Sequence, residues 1–271
     1  MKWSSEADAA VAKVPFFVRK RVKQRVEEEA KRCAASVVTL EHVETCRNRF
    51  LNKMEDEVKG CRVEACFGSS GCPNRAVADD QLIRDLESLA ASKNIRDFLK
   101  EKVAGPLKIH HEFQIVLSDC PNGCSRPQIA DVGLLGAKRP ALTGEDCSRC
   151  GACVAACREG AITLPDDAER PEIDYAKCLA CGQCVTACPT GTLAQGEAGY
   201  RVQIGGKLGR HPQLGRELPR ILSRDEAVRA VDAALDFYRE ESLSGERFGE
   251  VLNRCGYEKF IDFLKKRGVL I

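Results

Sequence analysis

A chain of 271 residues, 44% of them hydrophobic, is long enough to bury a full core and to form more than one domain. Its net charge of +2 argues against a polyanionic partner, so we expect it to bind no nucleic acid. The N-terminus lacks the apolar stretch of a signal peptide, and no run of residues approaches the roughly 18 apolar positions that a membrane-spanning helix needs. We therefore expect neither export nor a membrane partner.

Residues 1–57 have the polar balance and the spacing of a helical module. Pro15 suits the first turn of a helix. The basic residues of segment 19–25 precede Glu27, Glu28 and Glu29, which we expect to pair with Lys23 and Arg25 on a solvated helix face. The apolar side chains predicted to share the opposite face are Phe17, Val22, Val26 and Ala30.

From about residue 58 the pattern changes to alternating strands and helices. Segments 60–65 and 111–117 are predicted strands, and segment 128–135 is the predicted neighbour of the second. Amphipathic helices are predicted over 79–91 and 94–103.

The first two predicted strands lead into two pairs of cysteines with C-x5-C and C-x3-C spacing. Four thiolates in two close pairs suit a cubane iron–sulfur cluster, because each short segment can wrap one side of the cluster. The residues are Cys66, Cys72, Cys120 and Cys124.

Two further runs have the C-x2-C-x2-C-x3-C spacing of bacterial ferredoxins, the second one followed by Pro189. This doubled spacing disfavours the alternatives of a zinc ribbon or a disulfide framework. In two-cluster ferredoxins the fourth cysteine of each run binds the other cluster. We therefore predict one cluster on Cys147, Cys150, Cys153 and Cys188, and a second on Cys178, Cys181, Cys184 and Cys157.

The C-terminal segment begins with a predicted strand over 200–204 and a glycine-rich stretch that carries Lys207 and Arg210. Ser223 and Glu226 form a predicted capping box for a helix over 224–240. Helices are also expected over 244–255 and 257–267, the last ending at Gly268.

The cysteine content points to a reducing compartment. Sixteen cysteines would form disulfides in a secreted chain, yet most fall into cluster motifs, so we predict an anaerobic cytoplasm. The cysteines outside the motifs, interpreted as buried apolar groups, are Cys33, Cys46, Cys61 and Cys255.

From about residue 58 onward the chain resembles the siroheme half of the sulfite and nitrite reductase family, as in dissimilatory and anaerobic sulfite reductase subunits. The resemblance rests on CFGSSGCPN, HHEFQIVLSDCPNGCSRPQIADVG, the ferredoxin segment and GGKLGRHP. It implies an α+β fold, with a siroheme-type α/β half-domain (58–140 plus 198–271) and an inserted two-cluster ferredoxin domain (141–197). The N-terminal module (1–57) resembles, through Trp3, Ala9, VPFFVR and VVT, the small helical module of light-independent protochlorophyllide reductase subunits, which suggests docking or dimerisation.

The reductase resemblance also implies cofactors and an activity. Cys124 would bridge the third of three [4Fe-4S] clusters to siroheme, and a redox donor protein would feed electrons through the ferredoxin clusters for six-electron reduction of sulfite to sulfide. Cations are needed for the siroheme carboxylates and for the anionic substrate. The candidates are Arg75, Arg126, Lys207 and Arg210, of which Lys207 and Arg210 are also the catalytic candidates, together with Arg62 and Lys108. The candidate proton donors are His110, His111 and His211.

Alternatives remain open at this point. Larger family members contain two related halves and this chain shows one, so the pocket would close by homo-oligomerisation or within a complex. An electron-transfer iron–sulfur protein or subunit without siroheme is a second interpretation, and nitrite is a second substrate. The acidic ferredoxin segment favours a redox donor protein with a basic surface.

Overall fold

The computed structural model of the chain describes residues 1–270, apart from the side chains of 52–54. Ile271, the last residue of the predicted reductase domain, lies outside the described residues. The chain divides into two compact units, Met1–Lys59 with Val103–His110, and Gly60–Lys102 with residues 111–270. Among the described residues, no helix has both the length and the apolar character needed to cross a membrane.

The first unit consists of helices and a two-stranded parallel sheet. The elements are β1 (Lys2–Trp3), α1 (Ser5–Ala12), α2 (Phe16–Arg32), β2 (Val37–Val38) and α3 (Leu40–Asp56). The small core contains Ala7, Val26, Ala30 and Val38. Pro15 is the N-cap of α2 and so lies directly before the first turn in which the sequence placed it.

Two expectations for helix α2 are wrong. Phe17 is 74% exposed, because the buried face passes through Val26 and Ala30 and leaves the first turn in solvent. Lys23 pairs with Asp8 of α1 at 2.7 Å, instead of with a glutamate one turn further along α2. A partner on a neighbouring helix thus replaces the local partner that spacing alone suggests.

Glu29 also has partners beyond its own helix. Its carboxylate accepts hydrogen bonds from Arg49 of α3 at 2.5 Å and from Arg32 at 2.8 Å. The Arg49 and Arg32 guanidinium groups lower the pKa of Glu29 to about 2. This buried carboxylate therefore ties α2 to α3.

The second unit is built on a five-stranded sheet. The strands are β3 (Cys61–Ala65), β4 (Phe113–Ser118), β5 (Val132–Leu142), β8 (Leu193–Ile204) and β9 (Arg216–Glu217). They lie in the order β3-β4-β5-β8-β9, with the first three parallel and with β8 and β9 antiparallel to their neighbours. The predicted strand over 128–135 begins late, because Arg126 adopts a left-handed conformation (φ 63°) and Pro127–Ile129 forms a 3-10 turn.

Helices accompany this sheet, and aromatic rings join two of them to a central strand. The helices are α4 (Leu82–Ser92), α5 (Ile95–Lys102), α8 (Arg224–Glu241), α9 (Phe248–Cys255) and α10 (Tyr257–Lys266). The ring centroid of Phe113 on β4 lies 5.3 Å from those of both Tyr238 and Phe248. Ser223 and Glu226 form the predicted capping box at the start of α8.

The ferredoxin-like segment is carried by the long strands β5 and β8, which pair as far as Leu142 and Leu193. Their register shifts between Lys138 and Pro140. At that point the Lys138 N–H donates to the Ala180 carbonyl oxygen at 2.6 Å, which joins the segment to the strand. The elements between the two strands are α6 (Ala152–Ala156), β6 (Ile162–Thr163), β7 (Glu172–Ile173) and α7 (Gln183–Ala187).

The cysteines outside the motifs are not the buried apolar groups that the sequence suggests. Cys33, at the C-terminal end of α2, is exposed, and Cys46, Cys61 and Cys255 are half-buried. Cys61 lies closest to that expectation, since burial raises the pKa of its thiol to about 12.

Candidate cofactor site

The first cysteine of each short pair follows one of two neighbouring parallel strands. Cys66 comes directly after β3, and Cys120 follows the end of β4 by two residues. Because β3 and β4 are parallel, both cysteines lie at the same edge of the sheet. The Cys66 N–H donates to the Leu117 carbonyl oxygen at 2.9 Å, and the Asp119 N–H lies 3.4 Å from the Cys66 sulfur. The structure thus joins two loops that are distant in sequence.

The loop between Cys120 and Cys124 is a sequence of tight turns. The Gly123 N–H donates to the Cys120 carbonyl oxygen at 3.3 Å, and the Arg126 N–H donates to the Gly123 carbonyl oxygen at 2.8 Å. Gly123 has φ +61°, and a side chain there would meet the Gln128 amide, so glycine is favoured at this position. Cys120 is buried and Cys124 is exposed.

The ferredoxin-like segment arranges its eight cysteines in two crosswise sets. One cavity is lined by Cys147, Cys150, Cys153 and Cys188, which we call set I. A second cavity of about 290 Å³ is lined by Cys157, Cys178, Cys181 and Cys184, which we call set II, and also by Cys120. Each set takes three cysteines from one run and one from the other.

The local backbone of the two runs is nearly the same. Arg149 and Ala180 have φ of 54° and 57°, and the glycines two residues later have φ of 71° and 74°. This strained conformation directs the N–H groups of Arg149 and Ala180 to the sulfurs of Cys147 and Cys178, each at 3.4 Å. Hydrogen bonds from backbone N–H groups to ligand sulfurs are one of the means by which a protein tunes an iron–sulfur cluster.

Burial shifts the pKa of several of the motif thiols. No disulfide joins any two cysteines among the described residues. Burial raises the pKa of the Cys120 thiol and raises that of Cys184 to about 11, so iron must displace protons to bind there. Among the described residues, no group of three or more His, Cys, Asp or Glu side chains is placed so that it could hold a single metal ion.

Two of the four predicted cations are neutralised by carboxylates. Arg75 lies 2.7 Å from Asp119 and 2.5 Å from Asp80. Lys207, whose side chain is 10% exposed, lies 2.5 Å from Glu250 on α9 and lowers the pKa of that carboxyl.

The other two predicted cations, Arg126 and Arg210, are exposed and form no ion pair with the described part of the chain. Arg210 lies with His211 in a short hairpin closed by two backbone hydrogen bonds of 3.0 Å between Lys207 and Gln213. The Gly215 N–H donates to the Gln128 carbonyl oxygen at 2.8 Å, which places the base of the hairpin beside the turn that follows Cys124.

The remaining candidates lie elsewhere. Arg62 pairs with the buried Glu112 at 2.9 Å and with Glu64 at 3.2 Å. Lys108 and His110 belong to the first unit, and His111 belongs to the second.

Sequence reasoning missed Asp119 and Ser125. The Ser125 hydroxyl donates to the Leu117 carbonyl oxygen at 2.7 Å and so holds the turn after Cys124. Both residues directly adjoin a motif cysteine, and that adjacency is the signal that could have found them.

Comparison with known protein families gives two matches. The family model described as the nitrite and sulphite reductase 4Fe-4S domain matches residues 61–268. The model described as the proto-chlorophyllide reductase 57 kD subunit matches residues 3–47.

Individual relatives agree with the first match. Coenzyme F420-dependent sulfite reductase of Methanocaldococcus jannaschii is 38% identical over 204 residues, 74% of this chain and 30% of the relative. A subunit of the anaerobic sulfite reductase of Salmonella typhimurium is 28% identical over 211 residues, 75% of this chain and 57% of the relative. The chain therefore spans less than two thirds of either protein.

A solved structure shows the same fold. The crystal structure of dissimilatory sulfite reductase I superposes with a TM-score of 0.51 and 19% identity, over 80% of this chain and 57% of that chain. The likeness confirms the α+β fold class inferred from the sequence.

Proposed function

The chain belongs to the nitrite and sulphite reductase 4Fe-4S domain family, and we propose that it is a siroheme- and iron–sulfur-dependent reductase of sulfite, acting alone or as a subunit. The membership confirms the resemblance drawn from the cysteine motifs. One observation supports the proposal above all others: Cys120 lines the same cavity as set II, so the reductase loops and the ferredoxin-like segment meet at one place.

We assign three [4Fe-4S] clusters, held by set I, by set II, and by Cys66, Cys72, Cys120 and Cys124. Cys124, the exposed member of the last group, is the proposed bridge to siroheme. When bound, the clusters supply one-electron carriers and the siroheme supplies the iron at which the anion is reduced.

The arrangement of the cysteines supports an order for the three centres. Set II shares its cavity with Cys120, whereas the cavity of set I contains no cysteine of the reductase loops. We therefore assign set II to the position next to the catalytic centre and set I to the position that receives electrons from a donor protein.

The side chains outside the clusters bind and orient the anion. Sulfite and the siroheme carboxylates are negatively charged, so exposed guanidinium groups stabilise both. Arg126 and Arg210 have that exposure, and we assign them to this role. His211, beside Arg210, is the proposed proton donor to the departing oxygens. Lys207 holds the hairpin through Glu250 and acts by positioning Arg210.

The names of the relatives support sulfite over nitrite as the substrate. Both relatives described above are named sulfite reductases, and one is named as a subunit. We propose that this chain likewise works in a homo-oligomer or a complex, in the cytoplasm, with a redox donor protein.

Methyl-viologen-driven sulfite consumption by anaerobically purified protein tests the function. We expect activity in the wild type and none after Cys124→Ser. The matched control is Cys255→Ser, a half-buried cysteine outside every motif, which should keep full activity. Full activity of Cys124→Ser would overturn the proposal.

A further inference from the structure

The sequence makes Arg75 a candidate for anion binding, but its contacts in the structure indicate a different role. It lies three residues after Cys72, and Asp119 lies directly before Cys120, so each cysteine loop contributes one partner to their ion pair. The side chains of Arg75 and Asp119 are 16% and 10% exposed. Two largely desolvated charges from two different loops therefore face each other.

Two nitrogens of the Arg75 guanidinium group face carboxylates. Its Nε lies 2.7 Å from Asp119 Oδ2, and its Nη2 lies 2.5 Å from Asp80 Oδ1. Removing one partner of such a pair leaves a charge without its counter-charge, which is strongly unfavourable in a desolvated site. Two of the three guanidinium nitrogens therefore already face carboxylates of this chain.

Asp119 contacts the opposite loop through its backbone as well as its side chain. Its carbonyl oxygen accepts hydrogen bonds from the N–H groups of Ala76 at 2.9 Å and Val77 at 3.3 Å. Its own N–H lies 3.4 Å from the Cys66 sulfur, and its carboxylate packs on Gly68, where no side chain would fit. One residue thus contacts the start, the middle and the end of segment 66–77.

From these contacts we infer that Arg75 is a positioning residue, which locks the Cys66–Cys72 loop to the Cys120–Cys124 loop through Asp119 and sets the spacing of their four thiols. This role differs from the anion binding that the sequence suggests for Arg75. We assign anion binding to the exposed Arg126 and Arg210. The inference rests on the proposed function only where it states that these thiols hold a cluster.

Hydrogen exchange on the anaerobically purified full chain tests the lock itself. We expect Arg75→Gln to speed amide exchange in segment 66–77 by about tenfold or more, because the segment loses its tie to Asp119. Arg75→Lys keeps one charge contact and should restore most of the protection. Arg139→Gln breaks a pair with Glu197 whose two side chains are each 43% exposed, and is the matched control with wild-type exchange.

Electron paramagnetic resonance of the same samples tests the consequence for the cluster. Arg75→Gln should change the signal of one reduced cluster and leave the two ferredoxin-type signals unchanged, with rescue by Arg75→Lys. Asp80→Asn, which removes the more exposed partner, should give a smaller change and replaces Arg75→Gln if that variant does not fold.

Two results would overturn the inference. One is wild-type exchange and spectra in Arg75→Gln and Asp80→Asn. The other is loss of extractable tetrapyrrole from Arg75→Gln without faster exchange, which would identify Arg75 as an anion ligand. The exchange experiment remains decisive if the protein holds no siroheme, so failure of the proposed function and failure of this inference are distinguishable.

Discussion

Cys120 and Cys157 line the same cavity, although Cys120 lies in a loop of the central sheet and Cys157 lies in the ferredoxin-like segment. The antiparallel pair β5 and β8 makes this possible, because both strands run from the sheet into the segment. The Lys138 N–H then fixes the set II side of the segment through the Ala180 carbonyl oxygen.

This relationship predicts different effects for two cysteine substitutions in one run. Cys157→Ser should lose the set II cluster and slow electron delivery to the centre at Cys120, although set I keeps its four thiols. Cys153→Ser should lose the set I cluster and leave set II intact. Iron content and rapid-freeze paramagnetic resonance after donor reduction distinguish the variants, and identical spectra would contradict the crosswise sets.

The buried pair of Asp131 and Arg247 predicts a large stability effect. Asp131 is fully buried, lies 2.6 Å from Arg247, and accepts a hydrogen bond from the Gln114 N–H at 2.8 Å. Asp131→Asn removes the buried carboxylate charge that faces Arg247, and we expect a loss of about 3–5 kcal/mol in the free energy of unfolding. Urea unfolding measures this loss. Glu217→Gln, which breaks the more exposed pair with Arg201, should cost less than about 1 kcal/mol.

Glu226 predicts a pH dependence of stability. Its pKa is lowered from 4.5 to about 2, chiefly by the hydrogen bond from Arg220. A lowered carboxyl pKa stabilises the folded state fully above pH 4.5, and this contribution disappears as the pH falls towards 2. Glutamine can retain the helix cap but not the charge, so Glu226→Gln should cost about 1 kcal/mol at pH 6 and progressively less below pH 4.5.

Urea unfolding of both proteins across this pH range, followed by far-ultraviolet circular dichroism, measures the difference. A difference that stays constant down to pH 3 would contradict the assignment. Ser223→Ala is a useful comparison, because it removes the cap itself and should cost about 1 kcal/mol with little pH dependence.

In the hairpin between Lys207 and Gln213, we expect substitutions of Arg210 and Lys207 to have different effects, the first on sulfite binding and the second on the rigidity of the hairpin. If Arg210 binds the anion as proposed, Arg210→Gln should raise the KM for sulfite by about tenfold or more and should leave the unfolding free energy unchanged. Lys207→Met should increase hydrogen exchange across the hairpin, because the variant loses the ion pair with Glu250. Arg239→Gln, an exposed arginine on α8, is the control. Equal KM values for Arg210→Gln and wild type would exclude Arg210 from the site.

Local signals in the sequence predicted much of the fold. The strand before Cys66, the strand before Cys120 and the Ser223–Glu226 capping box depend on short-range patterns, and each forms within a few residues of its predicted limits. The start of β5 was harder to predict. The turn before it contains a left-handed residue, Arg126, and arginine does not signal that conformation in the sequence as glycine or asparagine would.

The partners of charged side chains could not be read from sequence spacing. Arg75 pairs with Asp119 and Lys207 pairs with Glu250, and in each case the partner lies more than forty residues away in the chain. Such pairs depend on which strands become neighbours. The cysteine motifs are the exception, because cluster binding constrains their spacing directly.

The central claim concerns the cofactors, and iron analysis with acid extraction of tetrapyrrole tests it most directly. On protein purified without oxygen, we expect extractable siroheme and roughly thirteen irons per chain, from three four-iron clusters and one siroheme. Roughly twelve irons without tetrapyrrole would contradict the reductase and identify an electron carrier built on a reductase fold.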